Sequence, residues 1–300
     1  MLAITGATGK SGSVFSQLVC ENRNKIDEMF PNGIRLLLHS EKDTVFGDSA
    51  EVVTGDLEDI DFLKDALKGV DTLVHIAGIH WSREVVEAAA FNRVRRLICV
   101  HTTGIYSKYK EAGEEYRHID DFVYETCREN NIKLSILRPT MIYGNINDKN
   151  VITFIRMVDK FPIMPTVNGA RYDLQPVHYA DLGRAYYDVL MHEDVTAGQD
   201  YVLSGGTPIQ LRDMFKIMGE NLDKKVRFIS CPFPLAYFGA VIIYGITFKK
   251  IDMREKVQRL CEPRAYDHDA ATRDFGYAPR DFAEGVKDEV AEYLKMKGVL

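Results

Sequence analysis

The chain has 300 residues, 46% hydrophobic and 27% charged, with a formal net charge of −6. That length exceeds most single cores and points to two lobes or one large α/β unit. The composition excludes disorder, and the acidic balance argues against nucleic acid, whose affinity rests on Lys and Arg contacts to phosphate.

Taken in chain order, the first half alternates apolar runs with amphipathic stretches. Strands are predicted at 1–5, 34–39, 50–53, 71–77, 95–101 and 132–137. Helices are predicted between them at 12–22, 60–67, 83–92 and 116–130. Alternation of this kind predicts a doubly wound parallel sheet covered on both faces, an α/β Rossmann architecture. Ligands then bind beyond the carboxyl ends of the strands. After about residue 145 the pattern loosens, with helices predicted near 151–158, 181–191, 211–222 and 283–295. Residues 1–145 are therefore expected to form the Rossmann domain. Residues 146–300 are expected to form a smaller C-terminal substrate lobe, with part of 172–192 returning to the first domain.

The cysteines (Cys20, Cys99, Cys127, Cys231 and Cys261) are scattered and form no CxxC pair. They read as thiols in a reducing compartment, and residues 1–5 already read as a strand with no leader before it, so a cytoplasmic protein is expected. The eight histidines give no metal spacing, and no metal is expected. Residues 231–248 carry no charge and are followed by Lys249-Lys250. Pro232, Pro234, Gly239 and Gly245 interrupt this stretch. It reads as a buried or subunit-contact helix in preference to a membrane contact, the alternative being a peripheral membrane contact.

Thr5-Gly6-Ala7-Thr8-Gly9-Lys10-Ser11-Gly12 joins the first strand to the first helix. Gly6, Gly9 and Gly12 let the backbone approach a ligand closely. The helix start offers free N–H groups and the positive end of a dipole, which together suit a dinucleotide pyrophosphate.

This turn resembles the TGxxGxxG signature of the short-chain dehydrogenase/reductase superfamily, in its extended and atypical branches of NAD-dependent epimerase/dehydratase type. Further segments resemble the family in its own order along the chain. They are Gly55-Asp56-Leu57, Val74-His75-Ile76-Ala77-Gly78, Leu137-Arg138-Pro139-Thr140-Met141-Ile142-Tyr143-Gly144, Gln175-Pro176-Val177-His178-Tyr179-Ala180-Asp181-Leu182 and Phe275-Gly276-Tyr277-Ala278-Pro279. The resemblance implies an NAD(P) site built from Gly6, Ala7, Thr8, Gly9, Lys10, Ser11 and Gly12. To these it adds Asp56 and Leu57 at the adenine, Ile76, Ala77 and Gly78 along the cofactor, and Pro139 beside the nicotinamide. The segment Leu38-His39-Ser40-Glu41-Lys42 sets the cofactor choice. His39, Ser40 and Lys42 suit the 2′-phosphate of NADP, while Glu41 points to NAD. NADP is expected, with NAD the alternative.

In this family a Tyr transfers a proton, a Lys one helical turn later lowers its pKa, and a Ser or Thr after the fifth strand binds the reacting oxygen. The literal YxxxK match is Tyr106 with Lys110. It lies so close to the fifth strand that it resembles the post-strand segment instead, which puts Thr102 at the Ser/Thr position. Tyr116 opens the helix where the dyad belongs, but the lysine position there is Asp120, and an i,i+4 carboxylate raises a Tyr pKa. Thr102 and Tyr116 are the expected catalytic residues. Lys108 and Lys110 are the cations that can fold back toward them.

On the substrate side, His80 and Trp81 are candidates for the pocket mouth. Arg156, Arg171 and Arg264 are candidates for a substrate phosphate. His178 and Asp181 read as structural, with Asp181 an N-cap. The resemblance implies an NAD(P)-dependent oxidoreductase, epimerase or dehydratase for a small molecule, with a nucleotide sugar as candidate substrate and a homodimer by analogy. The alternative is an NAD(P)-binding sensor with little turnover, which Asp120 favours.

Overall fold

A computed structural model describes residues 1–109, 111–161 and 163–299. The first half runs β1 Leu2–Thr5, α1 Lys10–Glu21, α2 Arg23–Met29, β2 Ile34–Leu38, β3 Glu51–Thr54, α3 Ile60–Ala66, β4 Thr72–His75, α4 Ser82–Phe91, β5 Arg96–Val100, α5 Gly113–Glu129 and β6 Lys133–Pro139. It continues with β7 Ile142–Tyr143, α6 Val151–Lys160, β8 Ile163–Val167, β9 Asp173–Leu174, β10 Val177–His178, α7 Tyr179–Met191, α8 Glu193–Thr196 and β11 Asp200–Leu203. The remainder is β12 Ile209–Gln210, α9 Leu211–Asn221, β13 Arg227–Cys231, α10 Phe233–Ile246, α11 Arg254–Leu260, α12 Asp269–Phe275 and α13 Phe282–Met296.

Among the described residues the main sheet has seven strands in the order β11-β6-β5-β4-β1-β2-β3. Every neighbouring pair is parallel. This is the doubly wound Rossmann architecture. Residues alternate between its two faces because successive side chains of a strand point opposite ways. Leu2, Ile4, Val74, Ile98 and Leu137 pack under α1, α7 and α12. Ala3, Leu73, Leu97, Cys99 and Ile136 pack under α3, α4 and α5. A third core joins Ile152 and Ile155 of α6, Met214 and Met218 of α9, and Val286 and Val290 of α13.

Helix α7 and strand β11 both pack against elements of the first half. Helix α7 lies along α1, and a Cβ on Gly183 would stand 2.6 Å from the Ser11 carbonyl oxygen, so only glycine permits that approach. Strand β11 then pairs with β6, Tyr201 opposite Leu137, and closes that edge of the sheet. Arg96, fully buried on β5, ties the layers together. Its guanidinium donates to Leu190 O (2.8 Å) and Val189 O (2.7 Å) at the end of α7, where carbonyls lack helical partners.

Two local expectations change. Helix α7 is capped by His178, whose Nδ1 accepts from Ala180 N at 3.2 Å. Asp181 sits inside the first turn and instead binds the Arg280 guanidinium at 2.9 Å. The uncharged stretch does form a helix, α10, but it is not a buried one: only Ala240 is buried. No helix of the described residues is long and apolar enough to cross a membrane.

Candidate functional site

Strand β1 is buried along its length and delivers the chain to Gly6, which has φ +73°. A Cβ on Gly12 would stand 2.0 Å from the Gly6 carbonyl oxygen, so the turn closes this tightly only with glycine there. Gly9 holds the N-cap of α1, and no acidic residue occupies the first turn. The helix start therefore presents its amides and positive dipole end without competition from a carboxylate, as a bound pyrophosphate requires.

A cleft of about 590 Å³ opens on this turn. Gly6, Thr8, Gly9 and Ser11 form its floor, with His39, Ser40 and Lys42 from beyond β2. Asp56 and Leu57 follow β3, Ile76 and Ala77 follow β4, and Trp81 completes the wall. Glu41 is not among the lining residues. Five positions expected at the cofactor do not line the cleft either. Ala7 and Gly12 are buried behind the turn, and Lys10 points to solvent. Gly78 supplies a bend at φ +115°. Pro139 is buried, and its carbonyl accepts from Thr103 Oγ1 at 3.1 Å.

His75 fixes the wall of the cleft from behind. Its Nδ1 lies 2.7 Å from Thr5 Oγ1 and its Nε2 3.0 Å from the Gly78 carbonyl. Burial, aided by His101, depresses its pKa to about 3, so the ring is neutral and donates one hydrogen bond to Gly78.

A second cavity, of about 320 Å³, lies beyond β5 and β6. Thr102, Thr103 and Ser107 line one part of it, and Thr140, Gln175, Arg259, Arg264 and Tyr266 line another. Thr102 Oγ1 accepts from Gly104 N at 2.9 Å, which leaves its proton available to a ligand. The Gln175 amide donates to Gly205 O (2.8 Å) and accepts from Tyr266 N (3.1 Å). Glu262 straps this segment to the residues after β5, accepting from Ser107 Oγ at 2.7 Å and Lys108 N at 2.8 Å.

Of the three arginines expected at a substrate phosphate, only Arg264 lines this cavity; Arg156 and Arg171 are exposed elsewhere. Arg259 on α11 joins it, unforeseen because nothing local marks it. The Nε atoms of both are buried and have no hydrogen-bond partner among the described residues. Burial, and then the neighbouring Arg259, pull the Arg264 pKa down to about 10. Two cations with unmet donors in one cavity call for an anion.

The Tyr116 site is built differently from what its sequence spacing predicts. Tyr116 is buried on the first turn of α5, its hydroxyl 3.4 Å from His80 Nε2 and the two rings edge to face at 5.3 Å. It is not among the residues lining the Thr102 cavity. Its pKa is raised, by burial first and then by Glu115, with Arg259 opposing. Asp120 is not among the causes. Both its carboxylate oxygens are engaged in the interior. One lies 2.6 Å from His101 Nδ1 and the other 2.7 Å from Arg138 Nη1. Arg138 in turn binds Asp200 (2.7 Å), and His101 Nε2 lies 3.1 Å from Ser82 Oγ. Tyr106 is exposed and lies against Tyr266, ring centres 5.6 Å apart. The Lys108 side chain is exposed. Lys110 lies outside the described residues. Among the described residues no group of His, Cys, Asp and Glu has the arrangement of a metal site.

Residues 6–161 match the family model described as NAD(P)H-binding. The chain is 23% identical to N-acetyl-alpha-D-glucosaminyl-diphospho-ditrans,octacis-undecaprenol 4-epimerase of Escherichia coli O157:H7, over 80% of this chain and 82% of that protein. Among solved structures it superposes on gox2253 with a TM-score of 0.76 at 21% identity, covering 100% of this chain and 99% of that one. It also superposes on UDP-glucuronic acid 4-epimerase from Bacillus cereus in complex with NAD, with a TM-score of 0.73 at 13% identity, covering 98% and 99% of the two chains. With more than half its length under the family model and the phosphate turn in place, the chain belongs to the NAD(P)H-binding family.

Proposed function

We propose that this chain is an NADP-linked enzyme of the epimerase or dehydratase type whose substrate is a sugar carried on a diphosphate, a nucleotide sugar being the simplest case. The observation that carries the substrate class is the pair Arg259 and Arg264, whose buried Nε donors lack partners in the cavity that holds Thr102. A diphosphate supplies acceptors and negative charge to both. The names of the Escherichia coli and Bacillus cereus relatives specify a diphospho-linked sugar and a UDP-sugar, both of this class.

The reading for NADP rests on His39, Ser40 and Lys42, which share the cleft while Glu41 does not. A bound nicotinamide supplies hydride acceptance and return. The chain's own residues would do the rest. Thr102 donates its hydroxyl proton toward the reacting oxygen. Tyr116 holds a proton at neutral pH, and His80, exposed beside it, connects that proton to solvent. The arginines fix the diphosphate and so the distance of the sugar from Thr102.

The test is a titration of the purified chain with NADPH, NADH and UDP-sugars, repeated with Arg264→Ala. The expected result is tighter binding of NADPH than NADH, and UDP-sugar affinity that falls about tenfold or more in the variant while NADPH affinity holds. A preference for NADH overturns the cofactor assignment. UDP-sugar affinity indifferent to Arg264 overturns the diphosphate assignment.

A further inference from the structure

Helix α10 is fourteen residues, Phe233–Ile246, without one charged side chain. A helix apolar on all sides is ordinarily buried in a core or in a membrane. This one is buried in neither. Leu235 is 63% exposed, Phe238 62%, Ile246 72% and Phe248, just past its end, 87%. At 1.5 Å per residue it is about 21 Å long, short of the roughly 30 Å hydrocarbon core. It packs on α11, and Asn168 Oδ1 accepts from Phe233 N at 2.9 Å.

Its surroundings are basic. From residue 223 to 260 the chain carries eight Lys and Arg against three Asp and Glu, although the whole chain is −6. Lys249 and Lys250 follow the helix and Lys225 and Arg227 precede it, all exposed, whereas Lys224 is paired with Asp159 and Arg259 faces the Thr102 cavity. A second copy of this chain fits poorly as the cover, because a two-fold contact repeats the same patch on both sides and would bring these cations face to face. An anionic lipid surface satisfies both features at once. Apolar side chains enter the acyl boundary, and lysines meet the headgroups. Tyr237 and Tyr244, the only hydroxyl-bearing residues of the helix, are of a type that favours that boundary.

A second observation points the same way. An apolar cavity of about 470 Å³ lies beside α11, lined by Phe154, Met157, Phe215, Met253 and Leu260. Arg259 and Arg264 belong to its wall as well as to the Thr102 cavity. Apolar space therefore adjoins the arginine pair on the side of the molecule that carries α10.

We infer that α10 lies in an anionic lipid surface and holds the chain there as a peripheral membrane protein. This does not depend on the identity of the substrate. The experiment is co-sedimentation of the full chain with vesicles of phosphatidylcholine, with and without phosphatidylglycerol. The variants are Phe238→Glu with Ile242→Glu, and Lys249→Glu with Lys250→Glu; all these positions are exposed. NADPH titration of each variant reports that the fold is retained. The wild-type chain is expected to pellet with the anionic vesicles, and either double variant to lower its affinity for them about tenfold or more. High salt should weaken the wild-type chain but not the lysine variant to the same degree. Absence of pelleting at low salt overturns the inference, as does pelleting unchanged by the Phe238/Ile242 variant. A dimer in solution that this variant splits, with no vesicle binding, also overturns it and assigns the helix to a second copy.

Discussion

The carboxylate of Asp120 stands 2.6 Å from His101 Nδ1 and, by its other oxygen, 2.7 Å from Arg138. Asp120 is thus a member of a buried charge network and not a repelling neighbour of Tyr116. Asp120→Ala leaves Arg138, 2% exposed, without its inner partner. A loss of about 3–5 kcal/mol in urea unfolding is expected, as for broken buried pairs. Asp120→Lys is expected to unfold the chain instead of restoring a dyad, because it sets a second cation against Arg138. Wild-type stability in either variant would contradict the network.

Tyr116 is protonated at neutral pH, as a phenol of pKa about 10 is, and burial and then Glu115 raise its pKa further. As a proton donor it should show no loss of rate near neutrality on the alkaline side. Tyr116→Phe should lower kcat about 10²-fold or more with NADPH affinity unchanged. Full turnover in that variant removes Tyr116 from the chemistry.

Gly12→Ala puts a methyl group 2.0 Å from the Gly6 carbonyl oxygen. The turn has to open, and the amides of α1 lose their aim. NADPH affinity is expected to fall by about 10²-fold while circular dichroism at 25 °C stays near wild type. Unchanged affinity would mean that the turn does not hold the pyrophosphate.

Two histidines make stability fall with acid. Burial depresses His75 to about 3, and burial together with Arg280 depresses His178 to about 4. A depressed folded-state pKa contributes stability that is present above the unfolded value of about 6.5 and is lost as pH falls through the folded values. Between pH 7 and pH 5 each should cost on the order of 2 kcal/mol, read from urea midpoints. Protonated His178 also loses the lone pair that caps α7. His75→Phe should flatten part of the slope while lowering stability at pH 7, since Thr5 and Gly78 lose their partner.

Glu289 titrates the other way. It is fully buried on α13, and burial, with the Asp148 carboxylate next, pushes its pKa up to about 10. A raised folded-state pKa contributes most below the unfolded value and is lost as pH rises, so the residue weakens the fold at neutrality. Glu289→Gln keeps an acceptor for Gly144 N, which now donates to Glu289 Oε2 at 2.8 Å. The variant should be more stable than wild type by roughly 1–3 kcal/mol at pH 8 and by little at pH 4.5. An equal difference at both pH values would sink this account.

The sheet and most of its helices were legible because each β1–β6 strand is a short apolar run, and helices α1, α3, α4 and α5 repeat their apolar residues at helical spacing. Helix α2 was not predicted, because Ile26 is the one residue it buries. The phosphate turn was legible because its glycines sit between a strand and a helix. The seventh strand was not, because Asp200–Leu203 is four residues whose partner, β6, lies more than sixty residues earlier. Arg259 escaped for the same reason: nothing in Arg254–Leu260 shows that this helix reaches the Thr102 cavity. The expectation for Asp120 failed more instructively. Spacing of four places two residues on one helical face, but it does not say what waits in the layer below. Here His101, just past β5, and Arg138 of β6 engage the carboxylate.

Strand β11 has a practical consequence. The family match ends at residue 161, yet the strand that covers the outer edge of β6 is Asp200–Leu203. A fragment cut after the match would expose the backbone donors and acceptors of Lys133–Pro139, buried over most of its length in the whole chain. Such a bare, apolar edge invites intermolecular strand pairing. The nucleotide-binding half is therefore expected to aggregate when expressed alone, and the smallest preparation worth making is the entire chain.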